Sequence, residues 1–262
     1  MSHTTARTTR ILSSLVLCGF SASAFAQEDA ELQEGAEAGY SGPPIVERML
    51  SGVHVCTGLT DGEPCGEVRW TMTVQSDGTR TLRSFLNDSG GGTQINMVMH
   101  SDAKTFRPIS AFADVYFAGS FLGAGHFAVD GDVLRVSVNS PTEHFNETID
   151  LPDTFTLLLH PISADGWHYG AGYDMIKGGE QMHSLCTMGA ARRSVLCAIN
   201  PIALEFLGME TLTVPAGTFD TEHYNFGENT EVWVTGPDRV MIQHEYTVIG
   251  SRYQLVEFDG DL

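Results

Sequence analysis

The chain has 262 residues, of which 42% are hydrophobic and 18% charged. That suits one soluble domain or two small ones, and it is too apolar for a disordered chain. The 14 Lys and Arg are outweighed by 33 Asp and Glu, for a formal net charge of −19; a surface this acidic repels phosphate backbones and excludes nucleic acid as a partner.

Residues 1–26 read as a secretory signal peptide. Arg7 and Arg10 supply the positive start, Ile11 to Phe20 the short apolar stretch, and Ala24-Phe25-Ala26 the small-x-small cleavage site. The apolar stretch is too short for a membrane span, and no later segment approaches the roughly 18 apolar residues that one needs. No stable membrane insertion is expected. Cys18 follows Leu17 rather than a small residue, which argues against lipidation there. Residues 27–42 are acidic and small and read as a disordered leader. The remainder, 43–262, reads as a single β-rich domain in the periplasm or outside the cell. Pro44 to Leu50 predicts a short amphipathic turn with Ile45, Val46, Met49 and Leu50 on one side.

Four cysteines follow the signal peptide: Cys56, Cys65, Cys186 and Cys197. An even number in an exported chain points to disulfides. Of the three connectivities, Cys56–Cys65 with Cys186–Cys197 closes two short loops, and Thr60-Asp61-Gly62-Glu63-Pro64 is a turn signal inside the first. No Cys-x-x-Cys pair exists, so no zinc site is expected.

Period-two alternation runs along the body. Val68, Trp70, Met72 and Val74 share one phase against Arg69, Thr71 and Thr73. Leu134, Val136 and Val138 alternate with Arg135, Ser137 and Asn139. Val240, Ile242, His244, Tyr246 and Val248 alternate with Gln243, Glu245 and Thr247. These are half-buried strands. Turn signals at Ser76-Asp77-Gly78, Asp130-Gly131-Asp132, Pro215-Ala216-Gly217 and Gly236-Pro237-Asp238 divide the chain in the manner of an antiparallel sheet or barrel. Helical signals are few: residues 154–164 are interrupted by Pro161, and Gln181 to Val195 allows a helix weakened by Gly189.

Several stretches carry possible chemistry. Asp88-Ser89-Gly90-Gly91 contains a protease-like tetrapeptide, but it lies early and without its His and Asp partners, so it reads as a loop. In Phe112-Ala113-Asp114-Val115-Tyr116-Phe117, Asp114 and Tyr116 fall on one face of a strand, and pairing of 111–118 with 124–130 brings His126 near them. Trp167 to Asp174 is an aromatic stretch suited to a pocket lip. Nine histidines follow the signal peptide, none at metal-ligand spacing, and no cofactor motif is present. His244 is the most informative of them. It shares the apolar phase of its strand, so its imidazole needs a partner from elsewhere, with His126, Tyr116 and Asp114 the candidates.

Leu212-Thr213-Val214-Pro215-Ala216-Gly217-Thr218-Phe219-Asp220-Thr221, followed by Val232-Trp233-Val234 and a strand ending in Tyr253-x-Leu255, resembles the V-P-A-G-T-F motif of a secreted proteobacterial family of unknown function. That family is similar in build to the LolA/LolB-like half-barrel carriers of lipids and lipoproteins. The resemblance implies a curved antiparallel sheet with an apolar concave face. The reading is therefore a mainly β protein, a curved antiparallel sheet or half-barrel with one or two short helices. Its expected role is to hold a hydrophobic small molecule (a lipid, terpenoid or acyl chain) with Trp70, Phe112, Trp167, Tyr173 and Tyr246 as contacts. The alternative is a cofactor-independent isomerase, lyase or hydratase using Asp114, Tyr116, His126 and His244 as acid and base.

Overall fold

The computed structural model describes residues 43–153, 155–158, 162–170, 172–188 and 197–262, without the side chains of 158, 168–170, 187–188 and 197–198. Residues 1–42, read as signal peptide and leader, lie outside the described residues. Pro43–Leu262 is one compact unit. In chain order it runs β1 (Val46–Gly58), β2 (Pro64–Gln75), β3 (Thr79–Asp88), β4 (Thr93–Asp102), β5 (Pro108–Phe117), β6 (Ser120–Asp130), β7 (Val133–Asn139), β8 (His144–Asp150), β9 (Phe155–Leu158), a 3-10 turn (Ile162–Ala164), α1 (Asp165–Gly170), β10 (Gln181–Met188), β11 (Cys197–Val214), β12 (Gly217–Phe226), β13 (Thr230–Thr235), β14 (Val240–Tyr246) and β15 (Ser251–Asp259).

Among the described residues, all 15 strands belong to one open sheet, ordered 8-7-6-5-4-3-2-1-15-14-13-12-11-10-9. Two antiparallel meanders are thus joined where the first strand pairs with the last; the β9–β10 pair is parallel. Both edges are unattractive to further strands. β8 is short, acidic and exposed, and β9 has four residues.

The alternation in the sequence becomes rungs across the sheet. Gly52, Trp70, Ser84, Met97, Ala113, Gly125, Val138 and Phe145 stand opposite one another from β1 to β8. Leu50, Met72, Leu82, Met99, Ala111, Phe127 and Val136 form the next rung and are buried. The two rungs line the inner face of the curve. Gly52 is required by its neighbour, because a Cβ there would lie 2.7 Å from Trp70 Cζ2.

The Val214-Pro215-Ala216-Gly217 motif is a hairpin turn that docks on β15. The β14–β15 ladder runs from Tyr246↔Ser251 to Gln243↔Gln254. Just beyond it the Leu255 carbonyl accepts a hydrogen bond from Ala216 N–H at 3.1 Å. The motif fills a place where the ladder has ended.

Three local expectations are corrected. Pro44 to Leu50 is not an amphipathic turn: β1 starts at Val46, and its ladder with β2 outweighs the local periodicity. Ile45, Val46 and Met49 are exposed and only Leu50 is buried. Gln181 to Met188 is a strand rather than a helix, held between β9 and β11; residues 189–195 of that stretch lie outside the described residues. The single phase read from Val240 to Val248 is broken by a bulge. Val232 faces His244 while Val234 faces Met241, so all of Val240 to His244 is buried.

Candidate functional site

The 3-10 turn and α1 lie inside the curve as a plug. Ile162, Ala164, Asp165 and Trp167 are all buried. Trp167 packs beside Phe106, with ring centroids 6.1 Å apart. Gly166 permits the approach, since a Cβ there would run into the Arg239 carbonyl. Between the plug and the wall, a space of about 10 Å³ remains among residues including Trp70, Met72, Leu82 and Trp167. That is about one water's worth, far below the hundreds of Å³ of a ligand pocket. Among the described residues, the protein's own chain fills this part of the inner face.

Polar groups meet where the plug touches the wall. Ser163 and Ser84 hydroxyls are 2.8 Å apart. Asp165 Oδ2 lies 3.3 Å from His244 Nε2, both residues buried. Tyr253 stands edge-on to His244, and burial, Asp88 and Asp165 push its phenol up to about 12.

His54 lies beside this group with a different assignment. Trp70 Nε1–H donates to His54 Nδ1 at 3.1 Å. Indole N–H is only a donor, so Nδ1 must accept, and Nε2–H then donates to the Met241 carbonyl at 2.8 Å. Complete burial, with His244 nearby, lowers its pKa to about 4 despite the Met241 bond. His54 is therefore a neutral, doubly bonded structural group that ties β1 and β2 to β14. Of His54 and His244, the latter is the one placed beside a carboxylate.

A second buried network lies at the other side of the plug. Arg80 sits 4.0 Å above the Phe106 ring and near Trp167. Asp238, almost fully buried, accepts from Arg48 at 2.6 Å and lies 3.4 Å from Arg80. Burial lowers the Arg80 guanidinium to about 10, which leaves it charged at neutral pH.

The predicted residues divide between the two faces. Asp114, Tyr116 and His126 share the outer face with Phe112: His126 stands opposite Phe112, and Asp114 accepts from Asn96 Nδ2 at 2.7 Å in an exposed setting. His244 faces inward, six strands away in the sheet from Asp114 and Tyr116 and seven from His126. The four proposed catalytic residues are not brought together, because the strand phase that buries His244 is opposite to the one that carries the other three. The partner of His244 is Asp165, which the helix supplies. Trp70 and Trp167 line the interior. Tyr173 is buried, donating to the Gly179 carbonyl and accepting from Phe206 N–H. Tyr246 is half-buried, and Phe112 is exposed on the outer face. That outer face holds a concavity of about 650 Å³ lined in part by Thr71, Arg83, Phe85, Asn96 and Val98.

Cys56 and Cys65 form a disulfide, with Cα atoms 5.0 Å apart. Cys186 is also disulfide-bonded. The Cys197 side chain lies outside the described residues, as does that of His168. Among the described residues, no group of three His, Cys, Asp or Glu is placed to hold a metal ion, and no helix is long and apolar enough to cross a membrane.

Sequence reasoning missed Asp165, His54 and Arg80. His54 had a signal, since it shares the phase of Leu50, Gly52 and Cys56 just as His244 shares an apolar phase. Asp165 had none: its role depends on a short helix crossing the interior.

No protein-family model matches the chain, and no curated protein matches it. Among solved structures it is similar to a β-barrel-like protein of a domain of unknown function, DUF1849, from Brucella abortus. The two are 10% identical, the match covers 82% of this chain and 98% of that one, and the TM-score is 0.46.

Proposed function

We propose that this is an exported carrier that holds a hydrophobic small molecule (a lipid, terpenoid or acyl chain) against the inner face of the half-barrel. The observation that carries the reading is the plug. A short segment lays Ile162 and Trp167 on an apolar wall and is fastened there at Ser163–Ser84 and Asp165–His244. A ligand chain takes the place of those side chains when the segment swings aside. Burial of apolar area supplies the affinity, about 25 cal/mol per Å². Export is supported by the signal-peptide pattern and the Cys56–Cys65 disulfide. The V-P-A-G-T-F resemblance to a family of unknown function that is similar in build to half-barrel carriers supports the ligand class.

The test is saturable, displaceable binding of a fluorescent fatty acid by the mature protein. Trp167→Ala, checked for folding, is expected to bind more tightly because the plug competes less. Absence of saturable binding across fatty acids, terpenoids and phospholipids in both proteins rejects the carrier.

The buried His244–Asp165 pair favours a second reading, a cofactor-independent isomerase, lyase or hydratase with His244 as base and Asp165 orienting it. Turnover of an apolar substrate that falls roughly 10²–10⁴-fold in His244→Gln, with dye binding intact, decides for it.

A further inference from the structure

One end of the sheet carries two apolar tips on a stiffened rim. The first is the β5–β6 turn. Phe117, Phe121 and Leu122 are 51%, 39% and 41% exposed, and the Tyr116 and Phe121 rings pack at a tilt with centroids 5.4 Å apart. Between Asp114 and Asp130 the chain has no Asp, Glu, Lys or Arg. The second tip is the β14–β15 turn, where Val248 and Ile249 are 62% and 68% exposed and no charge lies between Glu245 and Arg252.

The tips are held, not loose. Ala118 and Gly119 both have positive φ, 48° and 78°, the pattern of a tight two-residue hairpin. Asn is the favoured residue at the first of these positions, and here an alanine bears the strain, so the turn presents no polar side chain. The turns of this end are also tied to one another. Ala118 N–H donates to the Gly92 carbonyl at 2.9 Å, and Gly90 N–H to the Cys65 carbonyl at 3.4 Å. Leu59 N–H donates to the Gly250 carbonyl at 2.7 Å, and Thr247 N–H to the Asn229 carbonyl at 2.9 Å. The Cys56–Cys65 disulfide closes the middle of this chain of contacts. Five turns thus form one rim with an apolar tip towards each side.

We infer that this rim docks on a zwitterionic lipid surface. Aromatic and aliphatic side chains on rigid, charge-free tips are the chemistry of a bilayer interface. Isolated exposed apolar residues need no explanation, but two charge-free clusters at one end do. The turns between them carry Asp61, Glu63 and Asp88, the β12–β13 turn beyond the second tip carries Glu228, and Arg252, the basic residue beside the second tip, is paired with Glu245. An anionic surface is therefore repelled, and attraction comes from apolar burial rather than charge. The contact is peripheral and goes beyond the carrier reading, which concerns the inner face.

The test is co-sedimentation of the mature protein with phosphatidylcholine vesicles. Wild type is expected to partition onto them with little dependence on salt, and less onto vesicles rich in phosphatidylglycerol. Phe117→Ser/Phe121→Ser and Val248→Ser/Ile249→Ser are each expected to weaken partitioning about tenfold. Their melting temperatures are expected to match wild type, because the side chains are exposed. Three results each overturn the proposal: no partitioning by wild type, double variants that partition like wild type, or stronger, salt-sensitive binding to the anionic vesicles. A wild-type dimer in sedimentation equilibrium that the tip variants abolish overturns it as well, by assigning the tips to self-association. Fatty-acid binding by the tip variants is a separate readout and stands or falls with the carrier.

Discussion

In the β1–β8 meander, a rung such as Gly52–Trp70–Ser84–Met97–Ala113 runs across every strand, and the bulges lie towards the ends of the ladders. In the β10–β15 meander, bulges at Phe206/Gly208 and Trp233/Val234 interrupt the pairing, and the β14–β15 ladder covers only Gln243–Tyr246. The regular half presents a nearly apolar wall. The irregular half frees backbone groups, and these are what the rest of the molecule grips: the Met241 carbonyl is taken by His54, and the Leu255 carbonyl by the Ala216 turn. His244, which anchors the plug, also belongs to that half. Register defects here are attachment points, and the plug depends on them.

The largest expected effect tests the plug directly. Trp167→Ala removes a buried side chain that packs beside Phe106 and Arg80 and is expected to cost roughly 3–5 kcal/mol in urea unfolding. A loss below about 1 kcal/mol means that the segment is not packed on the wall. The next effect concerns the tie between the halves. His54 is neutral when folded, with its pKa lowered to about 4 from 6.5. The unfolded chain binds the proton more readily, so this contribution is complete above pH 6.5 and is lost as pH falls towards 4, about 3 kcal/mol in all. His54→Gln should flatten that part of the stability–pH curve. An identical slope in wild type and variant breaks the assignment of His54 as the locked histidine.

The remaining effects are smaller. Cys56→Ser/Cys65→Ser opens a loop with a sequence separation of 9, which the chain-entropy picture values at roughly 2–3 kcal/mol. Chemical denaturation under non-reducing conditions measures it, and no change removes the disulfide as the clamp of the rim. Gly52→Ala is expected to cost roughly 1–3 kcal/mol, because the Trp70 ring is held by His54 and cannot retreat freely. If the variant is neutral, the regular wall is softer than its rungs suggest. Arg83→Ala, on the exposed outer face, is expected to stay within about 0.5 kcal/mol of wild type.

Strand content, the turn positions and the burial of Val68, Trp70, Met72, Leu134, Val136 and Val138 follow from period two, since a half-buried strand needs nothing beyond its own alternation. The inward direction of His244 followed from the same rule. Its partner did not, because Asp114, Tyr116 and His126 lie in the opposite phase of strands elsewhere in the sheet. Asp165 reaches His244 only because a helix crosses the interior, and no local pattern records what a short helix will cross.

The sequence by itself determined that this chain builds an antiparallel sheet with one apolar face, how its turns divide it, and that Cys56 and Cys65 lie close enough to join. Those properties are local: they depend on alternation, on the φ preferences of Gly and Pro, and on short loop lengths. Only the tertiary structure decided that the first strand pairs with the last, that the V-P-A-G turn completes an unfinished ladder, and that the concave face is occupied by Trp167 and its neighbours. Each of those rests on groups far apart in the chain meeting in space. There a free carbonyl or an unfilled volume selects the partner, whatever the spacing in the sequence.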